Sequence, residues 1–409
     1  MPASPSTARA INDRLALRLL QSEGPLTAGQ LKQLTGLSRP TVADLVERLA
    51  AAGLIEVAGE TGGQRRGPNA KLYGIVADRA HLAALDVRTE GVAVLVCDLV
   101  GRVLAEASVP IGGDTGTGTA VEQAVTLVER AVKEAGADRL HTLGIGAPGL
   151  IDPASGELRD SSGLPEWHRR LVAALQERLP HARVNVENET NLAALAEQRE
   201  GAARDRDTFV LLWLGHGTGA AVVLDGALRR GASGGTGEIG FLPVPGTSGL
   251  PSATDCEGGF HSLAGSAAIA ALAAEHGLTA DAHADEPVAA ALVRQALAQE
   301  AELAVHTAPA ARFLDALADR LALGAASVVA VLDPGCVVLG GEVGQAGGEV
   351  LAGRVARRLR RMAPLPTEVR PSVLGGGAVL RGALLTARES AQEELFGAAP
   401  RTDAGRRQP

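Results

Sequence analysis

The sequence predicts two kinds of fold in one chain: a small N-terminal winged helix-turn-helix and a larger α/β body. The first 75 residues hold three helical patterns, a glycine turn before the third, and two strand patterns around a basic loop. This is the element order of a winged helix-turn-helix. From His81 onward, Val- and Leu-rich strands are separated by helical patterns, which predicts a mixed α/β sheet. A chain of 409 residues is long enough for two or three domains.

The charge distribution restricts nucleic-acid binding to the N-terminal part. The whole chain has a formal net charge of −8. Residues 1–75 contain nine Lys and Arg against six Asp and Glu, whereas the rest contains 30 against 41. A small basic head therefore precedes an acidic body, and only the head is a candidate for binding polyanions.

Composition also indicates a cytoplasmic protein that does not cross a membrane. No run of about 18 apolar residues is present, and the N-terminus lacks an apolar signal core. The three cysteines, Cys97, Cys256 and Cys336, are far apart, a spacing that fits neither a disulfide framework nor a metal knuckle. We expect Cys97 and Cys336 to be buried, because they lie inside Val/Leu runs.

Each helix pattern of the head has its own start or stop signal. The first pattern, residues 11–22, has apolar residues on one face: Ile11, Leu15, Leu19 and Leu20. Thr27 is the predicted cap of a second helix that ends at Leu34, and Gly36 makes the turn. Ser38 caps a third helix, whose predicted inward-facing residues are Val42, Leu45, Val46 and Leu49.

The third helix and the basic loop are the predicted DNA-binding surface. A recognition helix presents its early residues to the major groove, and the loop over residues 59–68 is the predicted wing, whose arginines reach phosphates or the minor groove. The candidate DNA contacts are Thr27, Ser38, Arg39, Pro40, Thr41, Asp44, Arg65, Arg66 and Lys71. The alternative is a three-helix packing module with a solvated loop.

The body is predicted as two α/β lobes of repeated design. Strands are expected at 82–87, 91–98, 102–109 and 143–145 in the first half, with a helix at 119–135. The second half has strands at 209–214, 220–224 and 337–339 and a helix-rich stretch at 262–330. The predicted domains are 1–76 (winged helix-turn-helix), 77–186 (first lobe), 187–380 (second lobe), 381–400 (a C-terminal helix returning to the first lobe) and 401–409 (a disordered tail).

A polar segment between a strand and a helix is the candidate ligand site. Residues 186–191 follow the strand pattern at 183–186 and precede a helix pattern at 192–199, and open α/β folds bind ligands at this edge of the sheet. Asn188 offers a donor and an acceptor, and Glu189 offers a carboxylate for a hydroxyl group. This pair suits a polyol, although Asn188 or Thr190 could equally be a helix cap.

Several motifs in order resemble the ROK family of repressors and sugar kinases. They are the winged helix-turn-helix, GIGAPGLID at 144–152, ENETNLAALAE at 187–197, GHGTGAAVVLDGALRRGASGGTGEIG at 215–240 and DPGCVVLGGEV at 333–343. The resemblance covers nearly the whole chain. It implies an actin-like, ribonuclease-H-like pair of α/β lobes that close on a sugar, and it implies the repressor branch, which has the N-terminal winged helix.

Two departures from the family pattern argue against kinase activity. In the family's kinases, a Gly-rich turn after the first-strand Asp lets backbone amides approach ATP phosphates. Here Asp86 is followed by Val87, Arg88, Thr89 and Glu90, whose side chains crowd such a turn. Glu189 stands where the family has a catalytic Asp, and the extra methylene displaces the carboxylate by roughly 1 Å, enough to cost about a hundredfold in rate.

The zinc and sugar motifs of the family are only partly kept. Phe241 stands at the usual zinc-binding His, and only Cys256 remains of the cysteine cluster, so we expect neither a metal nor a cofactor. His261 stands at a common sugar-binding Glu and Gly163 at a common Asn, whereas Asn188 and Glu238 are kept. The candidate effector contacts implied by the resemblance are Gly149, Asn188, Glu189, Glu238 and His261.

These observations favour a sequence-specific DNA-binding transcriptional regulator, a repressor, whose degenerate sugar-kinase body senses a sugar or a related small molecule. Its expected partners are a double-stranded DNA operator, a sugar effector and further copies of itself in a homodimer or homotetramer. One alternative is an ATP-dependent sugar kinase with a regulatory head, which the retained Gly217, Gly340 and Glu189 would support. Another is a regulator whose pocket no longer binds any sugar.

Overall fold

The computed structural model describes residues 5–60, 70–88, 91–152, 154–156, 158, 165–254, 257–280, 286–303 and 309–396. It has the predicted two-part architecture, a winged helix head followed by a body with two mixed sheets. The predicted wing residues Arg65 and Arg66 lie outside the described residues, as do Thr89, Glu90, Gly163, Cys256 and the tail 401–409.

The head consists of three helices and a three-stranded sheet with the order β1-β3-β2. Its elements are α1 (Pro5–Glu23), β1 (Leu26–Thr27), α2 (Ala28–Thr35), α3 (Arg39–Ala51), β2 (Ile55–Glu60) and β3 (Lys71–Ile75). The two predicted caps are confirmed. Thr27 forms a capping box with Gln30 at the start of α2, and the Ser38 hydroxyl accepts a hydrogen bond from the Thr41 amide at the start of α3. Such caps satisfy amides that have no partner within the helix.

The buried face of α1 differs from the predicted one. Ala16, Leu17 and Leu20 form the buried face, whereas Ile11 is 49% exposed and Leu15 is 39% exposed. Spacing alone could not separate the two faces, because leucines occur on both sides of this helix. On α3, by contrast, the four residues predicted to face inward are all buried: Val42, Leu45, Val46 and Leu49.

The first lobe is a five-stranded sheet with the order β6-β5-β4-β7-β8. Its elements are β4 (His81–Arg88), β5 (Gly91–Asp98), β6 (Val103–Pro110), α4 (Thr117–Glu134), β7 (Thr142–Ala147), α5 (Glu166–Arg178) and β8 (Arg183–Asn188). The first three strands are antiparallel, and β7 and β8 continue the sheet in parallel. The helix α6 (Glu189–Glu200) follows β8 directly, so the polar segment at 187–191 lies at the carboxyl end of a parallel strand.

The second lobe repeats this topology with the order β11-β10-β9-β12-β13. Its elements are β9 (Phe209–Leu214), β10 (Thr218–Leu224), β11 (Ala227–Arg229), α7 (His261–Ala264), α8 (Ser266–Glu275), α9 (Val288–Leu303), α10 (Pro309–Leu332), β12 (Cys336–Gly340), α11 (Gly341–Met362) and β13 (Glu368–Pro371). Again three antiparallel strands are followed by two parallel ones. The chain then returns to the first lobe with α12 (Ala378–Leu395).

The last helix, α12, packs against β4 and β7 of the first sheet and against α6. The approach is close, since a Cβ atom at Gly382 would lie 2.0 Å from the Leu192 carbonyl oxygen. One apolar cluster joins the head, the region around α6 and α12, and one face of each sheet. The domain limits given above stay predictions. Within the described parts of the chain, no helix is long and apolar enough to cross a membrane.

Candidate functional site

Asn188 connects the end of β8 to the first lobe and to α6. Its side-chain oxygen accepts hydrogen bonds from the amides of Thr190 (2.9 Å) and Asn191 (3.3 Å), so it is the cap of α6. Its side-chain nitrogen donates to the Gly149 carbonyl oxygen at 3.1 Å and to Glu189 Oε2 at 2.9 Å. The alternative prediction that Asn188 caps the helix is therefore confirmed. The same geometry brings together three of the candidate effector contacts.

Burial of the Glu189 carboxyl group raises its pKa to about 8. Burial is the largest cause of this rise; a backbone hydrogen bond opposes it, and repulsion from the carboxylates of Asp86, Glu238 and Glu342 contributes to it. At neutral pH Glu189 is consequently mostly protonated, and a protonated carboxyl group can donate a hydrogen bond to a hydroxyl oxygen of a ligand. A protonated group is a poor general base.

Glu238 and His261 belong to the second lobe, and the Glu238 carboxylate lies close enough to Glu189 to raise the pKa of that group. Glu238 keeps contact with solvent, yet desolvation raises its pKa. Gly237 beside it has φ of 92°, and a Cβ atom there would lie 1.8 Å from the Ala220 carbonyl oxygen. His261 begins α7 near Gly240, where a Cβ atom would lie 3.6 Å from the His261 Cβ atom. Burial lowers the pKa of His261, which favours a neutral imidazole.

The buried Glu187 joins the two lobes beside the candidate site. Glu187 Oε1 accepts hydrogen bonds from the Asn188 amide at 3.0 Å and from Asn191 Nδ2 at 2.9 Å. Its other oxygen pairs with Arg230 of the second lobe at 2.6 Å. Glu187 thus orients the turn that carries Asn188 and Glu189.

Asp86 and Arg88 form an ion pair at the end of β4, just before the position of the Gly-rich turn of the kinases. Asp86 is only 1% exposed, and Arg88 Nη2 lies 2.7 Å from its carboxylate. The same nitrogen donates to the Gly376 carbonyl oxygen at 2.8 Å. Burial raises the pKa of Asp86 and the Arg88 charge opposes that rise. A guanidinium group and its acidic partner therefore lie at the end of β4, immediately before this turn.

Glu197 is a fully buried carboxylate on α6 that holds two chain segments. Its oxygens accept hydrogen bonds from the amides of Val373 and Leu374, both at 3.1 Å, from the Ser372 hydroxyl, and from the Ala202 amide at 2.6 Å. The segment after β13 is thereby fixed to the helix that begins at Glu189. Sequence reasoning missed this role, although a Glu on an otherwise apolar helix face was a signal for it.

In the head, the first turn of α3 is presented to solvent. Arg39 and Pro40 are exposed, and Thr41 is partly exposed. The Thr41 hydroxyl lies 2.7 Å from the Ser38 hydroxyl. Asp44 pairs with Arg48 four residues later. Arg39 is therefore the most accessible cation at the start of α3.

Two other candidate DNA contacts, Thr27 and Lys71, lie in the described part of the head, and only the second has an exposed side chain that is not engaged in a helix cap. Thr27 is engaged in its capping box. Lys71 is exposed at the start of β3, in register with Glu60.

Comparison with known proteins decides the family. The profile of the ROK family matches residues 82–390. The chain belongs to the ROK family. The profile of the MarR family matches residues 11–67, so the head is similar to MarR-type winged helix domains.

Relatives of this ROK protein include regulators and kinases. It is 28% identical over 247 residues to the DNA-binding transcriptional dual regulator NagC of Escherichia coli K12, covering 58% of each chain. The match thus spans less than two thirds of NagC. The crystal structure of a ROK transcriptional regulator homologous to E. coli MLC protein has the same fold, with a TM-score of 0.73, 21% identity and coverage of 95% and 98%. A ROK hexokinase from Thermus thermophilus superposes with a TM-score of 0.60, 29% identity and coverage of 76% and 99%.

Proposed function

We propose that this ROK protein is a sequence-specific DNA-binding transcriptional repressor that senses a sugar or a related small molecule. The observation that carries the proposal is a capped, solvent-exposed recognition helix, α3, on a winged helix head that is packed against a ROK body. NagC, a relative by sequence, is a DNA-binding regulator. A homodimer or homotetramer would place two heads on a two-fold operator, because a single head buries little DNA surface.

In the proposed mechanism, the effector binds near Asn188, Glu189 and Glu238 and changes how the two lobes meet. The helix α6 begins at that site, and its last residues, Arg199 and Glu200, face the head. Twelve helical residues span about 18 Å, so one rigid helix connects the two places. An effector that prefers one arrangement of the lobes would shift the population of head positions and thereby the affinity for the operator.

We further propose that the protein is not an enzyme. The Arg88–Asp86 pair lies directly before the turn that would need to admit ATP phosphates, and Glu189 is mostly protonated at neutral pH where a kinase requires a base. The similarity to a ROK hexokinase keeps a sugar kinase as the second candidate. Sugar-dependent ATP turnover that Glu189→Gln abolishes would establish the kinase, and no turnover across a broad panel of sugars would exclude it.

The repressor proposal is tested by selecting bound sequences from random DNA duplexes with the purified full-length protein at controlled salt. We expect a two-fold symmetric sequence whose binding weakens with one class among sugars, sugar phosphates or ATP. Replacing Arg39 by Ala should weaken binding about 5- to 150-fold, the effect of losing one base or phosphate contact. The matched control is Arg357→Ala, an exposed arginine on α11 of the body.

The outcomes separate the candidates. No enriched sequence would refute the repressor proposal. If a DNA sequence is enriched but its binding does not change with any ligand pool, the protein is still a DNA-binding regulator, and the result favours a pocket that no longer binds sugar. Equal binding by the Arg39 and Arg357 variants would show that the first turn of α3 does not contact DNA. Light scattering on the same preparation distinguishes a dimer from a tetramer.

A further inference from the structure

A cleft of about 510 Å³ lies between the head and the ROK body, away from the proposed effector contacts. One wall is α1 of the head, and the others are the end of α6 and the face of α12. Four arginines line it: Arg14 and Arg18 on α1, Arg199 on α6 and Arg388 on α12. Sites for small ligands commonly have volumes of roughly 300–1,000 Å³, so this cleft is large enough for a metabolite.

The head is held beside the cleft by Gln21. Its side-chain nitrogen donates to the Val100 carbonyl oxygen at 3.1 Å, and its side-chain oxygen accepts from Gln392 of α12 at 3.0 Å. Arg14, Arg18 and Gln21 are spaced by four and three residues, so they lie on one face of α1. The cleft therefore lies in the same interface between head and body that the Gln21 hydrogen bonds hold together.

The arginines of the cleft lack anionic partners within the described part of the chain. None of the four forms an ion pair there, and Arg14 Nη2 is buried without a hydrogen-bond partner. A buried donor without an acceptor is unfavourable. Of the three glutamates that also line the cleft, Glu200 is engaged by Arg381 at 2.8 Å. Several guanidinium groups are thus available to a ligand.

We propose that this cleft binds a small organic phosphate that bridges the head and the body. Guanidinium groups bind phosphate oxygens with paired, charge-assisted hydrogen bonds. The carboxylates of Glu389 and Glu393 and the Gln392 amide face the same space and suit hydroxyl groups of the ligand. Because Arg14 and Arg18 belong to the head whereas Arg199 and Arg388 belong to the body, a bound phosphate holds the head in this docked position.

The site differs from the proposed sugar site in both position and charge. The candidate effector residues include two carboxyl groups and no arginine or lysine, which disfavours an anion, whereas in the cleft four arginines outnumber three glutamates. A phosphate of the DNA backbone is the other source of the same chemistry. A concave space shared by two parts of one chain fits a small molecule better than a duplex, so we assign it to a metabolite.

The test is isothermal titration calorimetry of the full-length protein, without DNA or sugar, using pyrophosphate, glycerol 3-phosphate and glycerol. We expect saturable binding of both phosphates and no heat from glycerol. Arg14→Gln and Arg18→Gln should each weaken binding about tenfold, the loss expected for one charge-assisted hydrogen bond. The control is Arg9→Gln, an exposed arginine on α1 outside the cleft, which should bind as the wild type does.

The proposal is overturned if neither phosphate binds, or if the double variant of Arg14 and Arg18 binds both phosphates as tightly as the wild type. A separate titration with duplex DNA also overturns it if the double variant loses affinity for DNA while it keeps its affinity for both phosphates, because the arginines then contact the DNA backbone. Circular dichroism of each variant verifies that the fold is kept. Since the phosphate titrations contain neither operator nor sugar, failure of the repressor proposal would not change their result.

Discussion

Protonation of Glu189 predicts a stability profile that one substitution should flatten. A carboxyl group with a pKa of about 8 in the folded protein and an ordinary value of 4.5 when unfolded retains a proton that the unfolded chain releases. The stabilisation from this proton is fully present below about pH 4.5 and is lost as the pH rises through about 8. The free energy of unfolding should therefore fall by about 2–5 kcal/mol over this pH range, where the upper value corresponds to the whole rise of the Glu189 pKa. Glu189→Gln imitates the protonated group at every pH, so this component should disappear.

The assay is urea unfolding of the wild type and the Gln variant at several pH values between about 5 and 9. Trp167 of the first lobe and Trp213 of the second report the unfolding of each lobe by fluorescence. We expect the variant to gain stability over the wild type progressively as the pH rises. The control is Glu177→Gln on the exposed side of α5, which should keep the wild-type profile. Parallel profiles for wild type and Glu189→Gln would refute the assignment of a protonated Glu189.

Two further substitutions test the supports of the site. Glu197→Ala leaves buried donors unpaired and should lower the free energy of unfolding by about 3–5 kcal/mol. The control, Glu177→Ala at an exposed position, should change it by less than about 0.5 kcal/mol. Similar urea midpoints for the two variants would contradict the role of Glu197. Gly237→Ala combines a positive φ with a clash against Ala220 and should cost about 2–5 kcal/mol. Gly246→Ala has a similar φ of 91° and no atom within 4 Å, so it isolates the backbone strain, expected at about 1 kcal/mol in thermal unfolding. Equal losses for the two glycine variants would exclude the clash.

Local signals in the sequence predicted much of this fold. The capping residues Thr27 and Ser38 each accept a hydrogen bond from the amide three positions later, so their roles could be inferred from spacing. The strand and helix that flank Asn188 are similarly visible as a change in hydrophobic period. The order of the strands within the two sheets was not predicted and is known only from the structure.

The contacts that the sequence did not reveal are those between distant segments. Arg88 was expected to crowd a turn, but its bond to Gly376 joins residues 288 positions apart. Glu197 meets Val373 across 176 positions. The sequence does not identify either partner, because every residue offers a backbone carbonyl or amide and nothing in the spacing distinguishes one from another. The prediction of the buried face of α1 was wrong for a related reason. The elements that pack against a helix determine which of its leucines are buried, and the sequence of the helix alone does not identify those elements.

The position of α12 has a consequence for how the chain acquires its structure during synthesis. This helix is among the last described elements, yet it covers β4 and β7, which are among the first strands of the body. Until the ribosome has released nearly the whole polypeptide, one face of that nascent sheet is bare, and its apolar residues are available to chaperones or to other unfinished chains. Premature termination before Ala378 would therefore leave an N-terminal sheet that cannot complete its own core, even though every one of its strands has been translated.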